Sequence, residues 1–439
     1  DLECFEELIQ VDGARVVEEQ ICETRWGPVL SPDDLGRARA LKWLPHEPQA
    51  VNIGLLAMET ATGVDDAVAI ANRIGIPPQN MVIADAEGRV AWTIAGRIPR
   101  RSGYDPSRPA SWSGGGVGWV GWLDPEDYPR IIDPGGGRIW TANARVVDGQ
   151  DLKQLGDGGY ALGARAMQIR DGLRSGDGLT LQNMLEIQLD DRAVFFQRWR
   201  DLALDVVPDA AALNDPRRAE FRRHLRDWDA VASKDSVGFR LVYGFRQRVL
   251  ALVFEGLTDP VRAVHPEFSL NESFRYGVGR QFEGPAWKLV TERPVHLLHA
   301  AFESWEELLI AAVDATIESA SPDGGSAFEP WGLQNVARIR HPLSGALPFV
   351  AGSLDMPAEP LDGATHMPRV QQTAFGASER FAVSPGREDE GYFHMPTGQS
   401  GHPLSPFYRA GHDAWVRGEP TSFLPGPPDH QLILTPDTG

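Results

Sequence analysis

The sequence predicts one large α+β body spanning residues 1–439, and three observations predict it. Residues 1–145 alternate short strand-like runs with turns, whereas residues 159–317 read as mostly helical. From Ser321 onward the chain returns to short strands and Pro/Gly loops, and no internal repeat or Gly/Ser linker separates these regions. The strand-rich ends are therefore expected to join one sheet system, with the helix-rich subregion 159–317 packed around it.

The elements follow in chain order. Phe5 to Val11 and Arg15 to Thr24 flank a turn at Asp12-Gly13 and read as a hairpin. If opposite positions sum to 26, Cys4 faces Cys22 and a disulfide can form, which would place the protein in an oxidising compartment; a register of 25 leaves two free thiols. Asp65 to Ile74 is an amphipathic helix: Ala67, Ile70, Ala71 and Ile74 repeat at helical spacing, and Asp65 and Asp66 suit the positive end of its dipole. Asn80 to Ala84 and Val90 to Ile94 flank a second hairpin turn at Asp85–Gly88, and Arg138 to Asn143 reads as a further strand. Prolines 208, 216, 260, 266, 285 and 294 divide the helical region.

Charge and hydropathy exclude several functions. With 42 Lys+Arg against 61 Asp+Glu the chain carries a net charge of −19, and no basic run offsets it, so nucleic acid and anionic membranes are poor partners. No apolar run reaches the roughly 20 residues of a membrane span. Asp1 to Glu7 is acidic where an export signal is basic and then apolar, so such a signal is either lacking or already removed.

Three local motifs look chemical and carry little. Gly116-Val-Gly118-Trp-Val-Gly121 matches a dinucleotide fingerprint by letters, but proline-rich segments flank it instead of the strand and helix that would cradle a pyrophosphate. His296, His299 and Glu303 would share one face of a helix opened by Pro294, at spacings open to a metal but better explained as an amphipathic surface. Ser400, in Gly398-Gln-Ser-Gly401, resembles half a nucleophile elbow, with His402 where the second glycine belongs.

Larger segments, taken together, resemble the penicillin acylase (penicillin amidase) family of N-terminal-nucleophile hydrolases. They are Thr24-Arg-Trp-Gly-Pro28; Pro78 to Asp85 with Gly88 and Ala95-Gly-Arg-Ile-Pro-Arg100; Gly121-Trp122; Asp133-Pro-Gly; Ile139-Trp-Thr-Ala-Asn-Ala-Arg145; and His394-Met-Pro-Thr-Gly-Gln-Ser-Gly-His-Pro-Leu-Ser-Pro-Phe-Tyr408, then Trp415 and Gly418. Trp26 and Ala144 depart from the family pattern, which has His and frequently Asn there. The order matches the family's from about residue 24 to residue 420.

The resemblance implies a four-layer αββα core with a large helical elaboration, and an amidohydrolase that cleaves a linear amide through an acyl-enzyme. Its substrate would be an N-acyl compound such as a β-lactam side chain or an acyl-homoserine lactone. It implies self-cleavage of a precursor into an α subunit and a β subunit, of which this chain resembles the greater part, with the N-terminal serine nucleophile lying upstream of Asp1. By motif, Asn143 is the side-chain oxyanion donor and Arg165 its support, while Trp119 and Trp122 could line the approach. No cofactor is implied for catalysis. A structural calcium is implied, but its downstream ligand position falls on Gln154, and the neighbouring Asp151 and Asp157 read as solvated loop carboxylates. A periplasmic or secreted location follows from the family and from the candidate disulfide. The rival readings are a non-catalytic binding or scaffold protein on the same fold and a conventional serine hydrolase using Ser400.

Overall fold

The structure, a computed structural model, describes residues 2–33, 35–156, 159–208, 215–266, 282–321, 324–325 and 327–436. It is mixed helix and sheet, and the body expected across 1–439 is built as two compact units: residues 1–139 with 147–157, and residues 140–146 with 158–439.

The first unit holds the N-terminal strands. β1 (Leu2–Ile9), β2 (Val17–Thr24), β3 (Gly27–Leu30) and β4 (Arg39–Ala40) form an antiparallel meander. Its first register pairs Cys4 with Cys22, and the two are joined by a disulfide. Gly13 turns the hairpin at φ +68°, a conformation that costs glycine little. Gly27 answers a different need: a Cβ there would stand 2.1 Å from the Leu41 carbonyl oxygen, so the Thr24–Pro28 turn admits no side chain at that position.

A second sheet, β5 (Gln79–Ala84), β6 (Val90–Ala95) and β9 (Arg130–Ile132), has β6 at its centre, and five of the six β6 residues are buried. The helix predicted over 65–74 forms as α1 (Val64–Ala71) and packs Val64, Val68 and Ala71 onto Ala91 and Ala95 of β6. Asn72 ends it and donates to Thr93 Oγ1 and to the Ile94 carbonyl, both at 2.9 Å, tying helix to sheet through a buried amide. β7 (Pro99–Ser102) pairs with β8 (Gly118–Trp122) across a bulge. The short helix α2 (Gly149–Leu155) closes the unit's sequence.

The second unit is built around helices. In chain order they are α3 (Ala164–Arg174), α4 (Leu181–Gln188), α5 (Gln197–Val206), α6 (Pro216–Asp227), α7 (Val237–Val264), α8 (Glu283–Glu292) and α9 (Trp305–Ala320). α7 is the axis. Ser236 caps its N-terminus, and Phe239, Leu241, Val242, Phe245, Val249 and Val253 are buried against α5, α6, α8 and α9. Trp199 of α5 and Leu308, Leu309, Ala312 and Val313 of α9 complete this apolar core.

One ion pair lies inside it. Glu283, 3% exposed, accepts from Arg246 of α7 at 2.7 Å and from the Trp199 indole at 2.8 Å, and Arg198 also pairs with it. Burial opposes ionisation of Glu283, but the Arg246 charge and these hydrogen bonds outweigh it and hold the carboxyl below its ordinary range.

Two expectations are corrected. Arg138 to Asn143 is irregular, followed by a lone bridge at Ala144: the Asn143 carbonyl bonds the distant amide of Ala161, and among the described residues no strand pairs with this segment. The strands of the two ends do not join one sheet among the described residues. β10 (Gln371–Gln372), β11 (Phe375–Gly376), β12 (Arg380–Ala382) and β13 (Tyr392–His394) form two separate ribbons of two- and three-residue strands, too short to extend a ladder.

Glu283→Ala would leave Arg246 buried without a counter-charge and is expected to cost about 3–5 kcal/mol, read as a lowered urea midpoint. Because the folded carboxyl titrates low, its stabilisation is complete above the ordinary Glu range and is lost as pH falls through the depressed value. A non-reducing peptide map is expected to show the Cys4 and Cys22 peptides linked; alkylation of both thiols without reductant would refute the pair.

Candidate active site

Asn143 sits in the irregular segment 140–146 of the second unit. Its carbonyl accepts from the Ala161 amide at 2.9 Å, and Ala144 bridges Ala161 in parallel, so the segment runs beside the residues that lead into α3. Ala144, 6% exposed, is packed at this crossing. α3 places Arg165 in its first turn, and the guanidinium Nη2 donates to Asn143 Oδ1 at 2.6 Å. At the other end of α3 the Arg174 guanidinium lies 4.8 Å from the centroid of the Trp140 ring. The helix therefore holds the segment at two points, Asn143 itself and Trp140 three residues before it.

The direction of the Arg165 bond has a chemical consequence. A guanidinium only donates, so it can be met only by the amide oxygen, and Nδ2 becomes the outward donor end of Asn143. Asn143 is exposed, so that donor is accessible. Buried Gln168 of α3 donates to the Arg192 carbonyl at 3.0 Å and holds the helix to the loop after α4.

A third group in this unit left no signal in the sequence. His366 has a left-handed backbone (φ +67°), and its ring lies 4.4 Å from that of Phe195. Burial, then the positive charge of Arg246, push its pKa down to about 3; Glu283 opposes this and Arg165 and Arg198 reinforce it. It is a neutral imidazole under the influence of the Arg165 charge, but an isolated His between Thr365 and Met367 belongs to no motif.

The other candidates fall elsewhere. Trp119 and Trp122 are on β8 of the first unit. Trp112 links Trp26 and Trp119 in an aromatic cluster with centroid separations of 6.3 and 6.4 Å, and Trp122 donates its indole N–H to Gln49. Gly116 to Gly121 leads into a strand and not a helix, so it offers no phosphate cradle. His296, His299 and Glu303 do not share a helical face: a single 3-10 turn spans Val295–Leu297, and α9 begins at Trp305 after its Ser304 cap. His299 instead packs against Gly256 of α7.

Ser400 lies in a loop, and its hydroxyl accepts from the His402 amide at 3.1 Å. Gly398 is fixed by packing, since a Cβ there would meet the Phe407 carbonyl oxygen at 1.8 Å. Among the described residues no three His, Cys, Asp or Glu side chains gather to hold a metal. Asp151 is exposed on α2, the Gln154 carbonyl accepts from the Arg101 guanidinium at 2.6 Å, and Asp157 lies outside the described residues.

The sequence profile described as penicillin amidase matches residues 1–429. The chain belongs to the penicillin amidase family. It is 27% identical to penicillin acylase 2 proenzyme of Pseudomonas sp. strain SE83, an alignment covering 93% of this chain and 52% of that protein. It is 25% identical to the acyl-homoserine lactone acylase QuiP of Pseudomonas aeruginosa, covering 95% and 54%. The chain thus spans about half the length of the curated relatives it matches. Among solved structures, a thermostable penicillin G acylase from Alcaligenes faecalis superposes with a TM-score of 0.60 at 18% identity, over 99% of this chain and 82% of that one. That likeness establishes the fold. For the penicillin amidase segment around Asn143, the local consequence is an asparagine held in one orientation by an arginine 22 residues downstream.

Proposed function

We propose that this chain is the greater part of the β subunit of an amidohydrolase that cleaves the linear amide of an N-acyl compound. A β-lactam side chain or an acylated homoserine lactone is the substrate class that the named relatives support. The observation that carries the reading is the 2.6 Å hydrogen bond from Arg165 to Asn143 within a chain of this family.

In this reading the nucleophile is an N-terminal serine in the part of the protein beyond this sequence, with its own α-amine as base. Attack on the amide carbonyl makes a tetrahedral oxyanion, to which Asn143 Nδ2 donates. Arg165 is the positioning residue: it holds Oδ1, prevents the amide from flipping, and polarises it toward stronger donation.

The complete protein would carry the four-layer αββα core and be made as a precursor that matures to a heterodimer, supported by family membership and by the proenzyme name of a relative. The Cys4–Cys22 disulfide supports export to the periplasm or beyond, and among the described residues no helix is long and apolar enough to cross a membrane.

A panel of long-chain, aromatic and dicarboxylic N-acyl substrates offered to the complete matured protein, with products detected by mass spectrometry, tests the activity; no release from any of them would overturn it. Asn143→Ala is expected to lower kcat by about 10²–10³-fold with the fold intact by circular dichroism; near-normal turnover would remove Asn143 from the reaction. Arg165→Met should lower kcat by roughly ten- to a hundredfold, the worth of one charged hydrogen bond, with KM little changed. A change in KM alone would assign Arg165 to substrate binding instead.

A further inference from the structure

The ribbon of β12 and β13 carries an arrangement that the proposed reaction does not use. Arg380 lies directly opposite His394, and Ala382 opposite Tyr392. Opposed and alternate residues of a strand pair share a face, so these four side chains share one. That face is interior: Arg380 is 3% exposed, Tyr392 4% and His394 2%. Ala382 and Tyr392 pack on Leu185 of α4. On another side lies Trp415 of α10 (His412–Arg417), whose ring centroid is 5.1 Å from the Arg380 guanidinium carbon and whose carbonyl accepts from Arg380 Nη1 at 2.9 Å.

The remaining polar atoms on this face meet no protein group. Arg380 Nη2, the Tyr392 hydroxyl and both ring nitrogens of His394 are fully buried without a hydrogen-bond partner among the described residues. Tyr392 and His394 are neighbours, with ring centroids 6.2 Å apart, and the Arg380 charge acts on both.

Charge deepens the imbalance. Arg369, whose charge acts on Arg380, is matched by Asp191 and Asp362, each at 3.2 Å. Among the described residues no carboxylate forms an ion pair with Arg380, and the Arg369 charge adds repulsion. Burial first, and then Arg369, lower the Arg380 pKa to about 9; burial and Arg380 push His394 down to about 4, so at neutral pH the imidazole is uncharged. The face therefore holds one uncompensated positive charge and three further groups able to donate or accept. A buried charge left this way opposes folding, as does each unmet polar group.

We infer that the interior face of β12 and β13 binds one small monovalent anion of the halide class, held by Arg380 Nη2, the Tyr392 hydroxyl and an N–H of His394. Water would satisfy the hydrogen bonds but not the charge, and a face closed to solvent in this way suits a small ion. The anion would hold the ribbon against α4 and α10.

Thermal unfolding of the full-length protein at constant ionic strength, with sodium gluconate exchanged stepwise for sodium bromide, tests this. The midpoint is expected to rise with bromide and saturate, as binding to the native state alone requires. Crystals grown in bromide are expected to show an anomalous peak within hydrogen-bond reach of Arg380 Nη2. Tyr392→Phe, which removes a hydroxyl with no partner among the described residues, should raise the half-saturating bromide concentration about tenfold while leaving the midpoint in gluconate at or above that of the unaltered protein. Equal midpoints in the two salts, or water at that position with no anomalous signal, would overturn the inference.

Discussion

A guanidinium carries five N–H donors and no acceptor, and much of the second unit is organised by where its arginines find acceptors. Arg165 finds the side-chain oxygen of Asn143, and because that bond can be made in only one sense it settles which end of the amide faces outward. An asparagine on an irregular segment is otherwise free to rotate, and a donor that must reorient during a reaction stabilises little. The segment 140–146 is held by the Ala161 amide and by α3, so the orientation of one side chain depends on the placement of one helix.

That helix belongs to a unit whose rigidity comes from α7. Its buried aromatic and aliphatic residues contact α5, α6, α8 and α9, and the Arg246–Glu283 pair adds direction to an otherwise non-directional apolar core. The pair makes sense only as a set: Glu283 is satisfied by two arginines and an indole, and removal of any one group leaves a buried charge short of partners. The same logic separates Arg369, matched by two aspartates, from Arg380, which has none among the described residues.

The first unit uses different means. Its meander is small and exposed, and the Cys4–Cys22 crosslink supplies constraint that burial cannot. The α1–β6 layer has a true core, locked by Asn72 where the helix ends. Here local pattern was a good guide. The hairpin register summing to 26, the helix near 65–74 and the strands around Asp85–Gly88 were all legible, because each depends on alternation, helical spacing or turn residues within a few positions.

What the sequence determined by itself was the set of local elements, the family, and Asn143 and Arg165 as a pair worth testing, since motif order survives wherever backbone and chemistry constrain neighbouring residues. What only the tertiary structure decided was everything set by partners distant in sequence. Arg138 to Asn143 looked like a strand but found no neighbouring strand to pair with; His296 to Glu303 looked helical but is interrupted before the Ser304 cap. His366, surrounded by charges from α3, α5, α7 and α8, and Arg380, opposite His394 with no carboxylate in reach, carry no sequence signature. Their environments are sums over residues tens to hundreds of positions away, and a pattern read along the chain contains local preference but not the burial and long-range charge that fix what such groups can do.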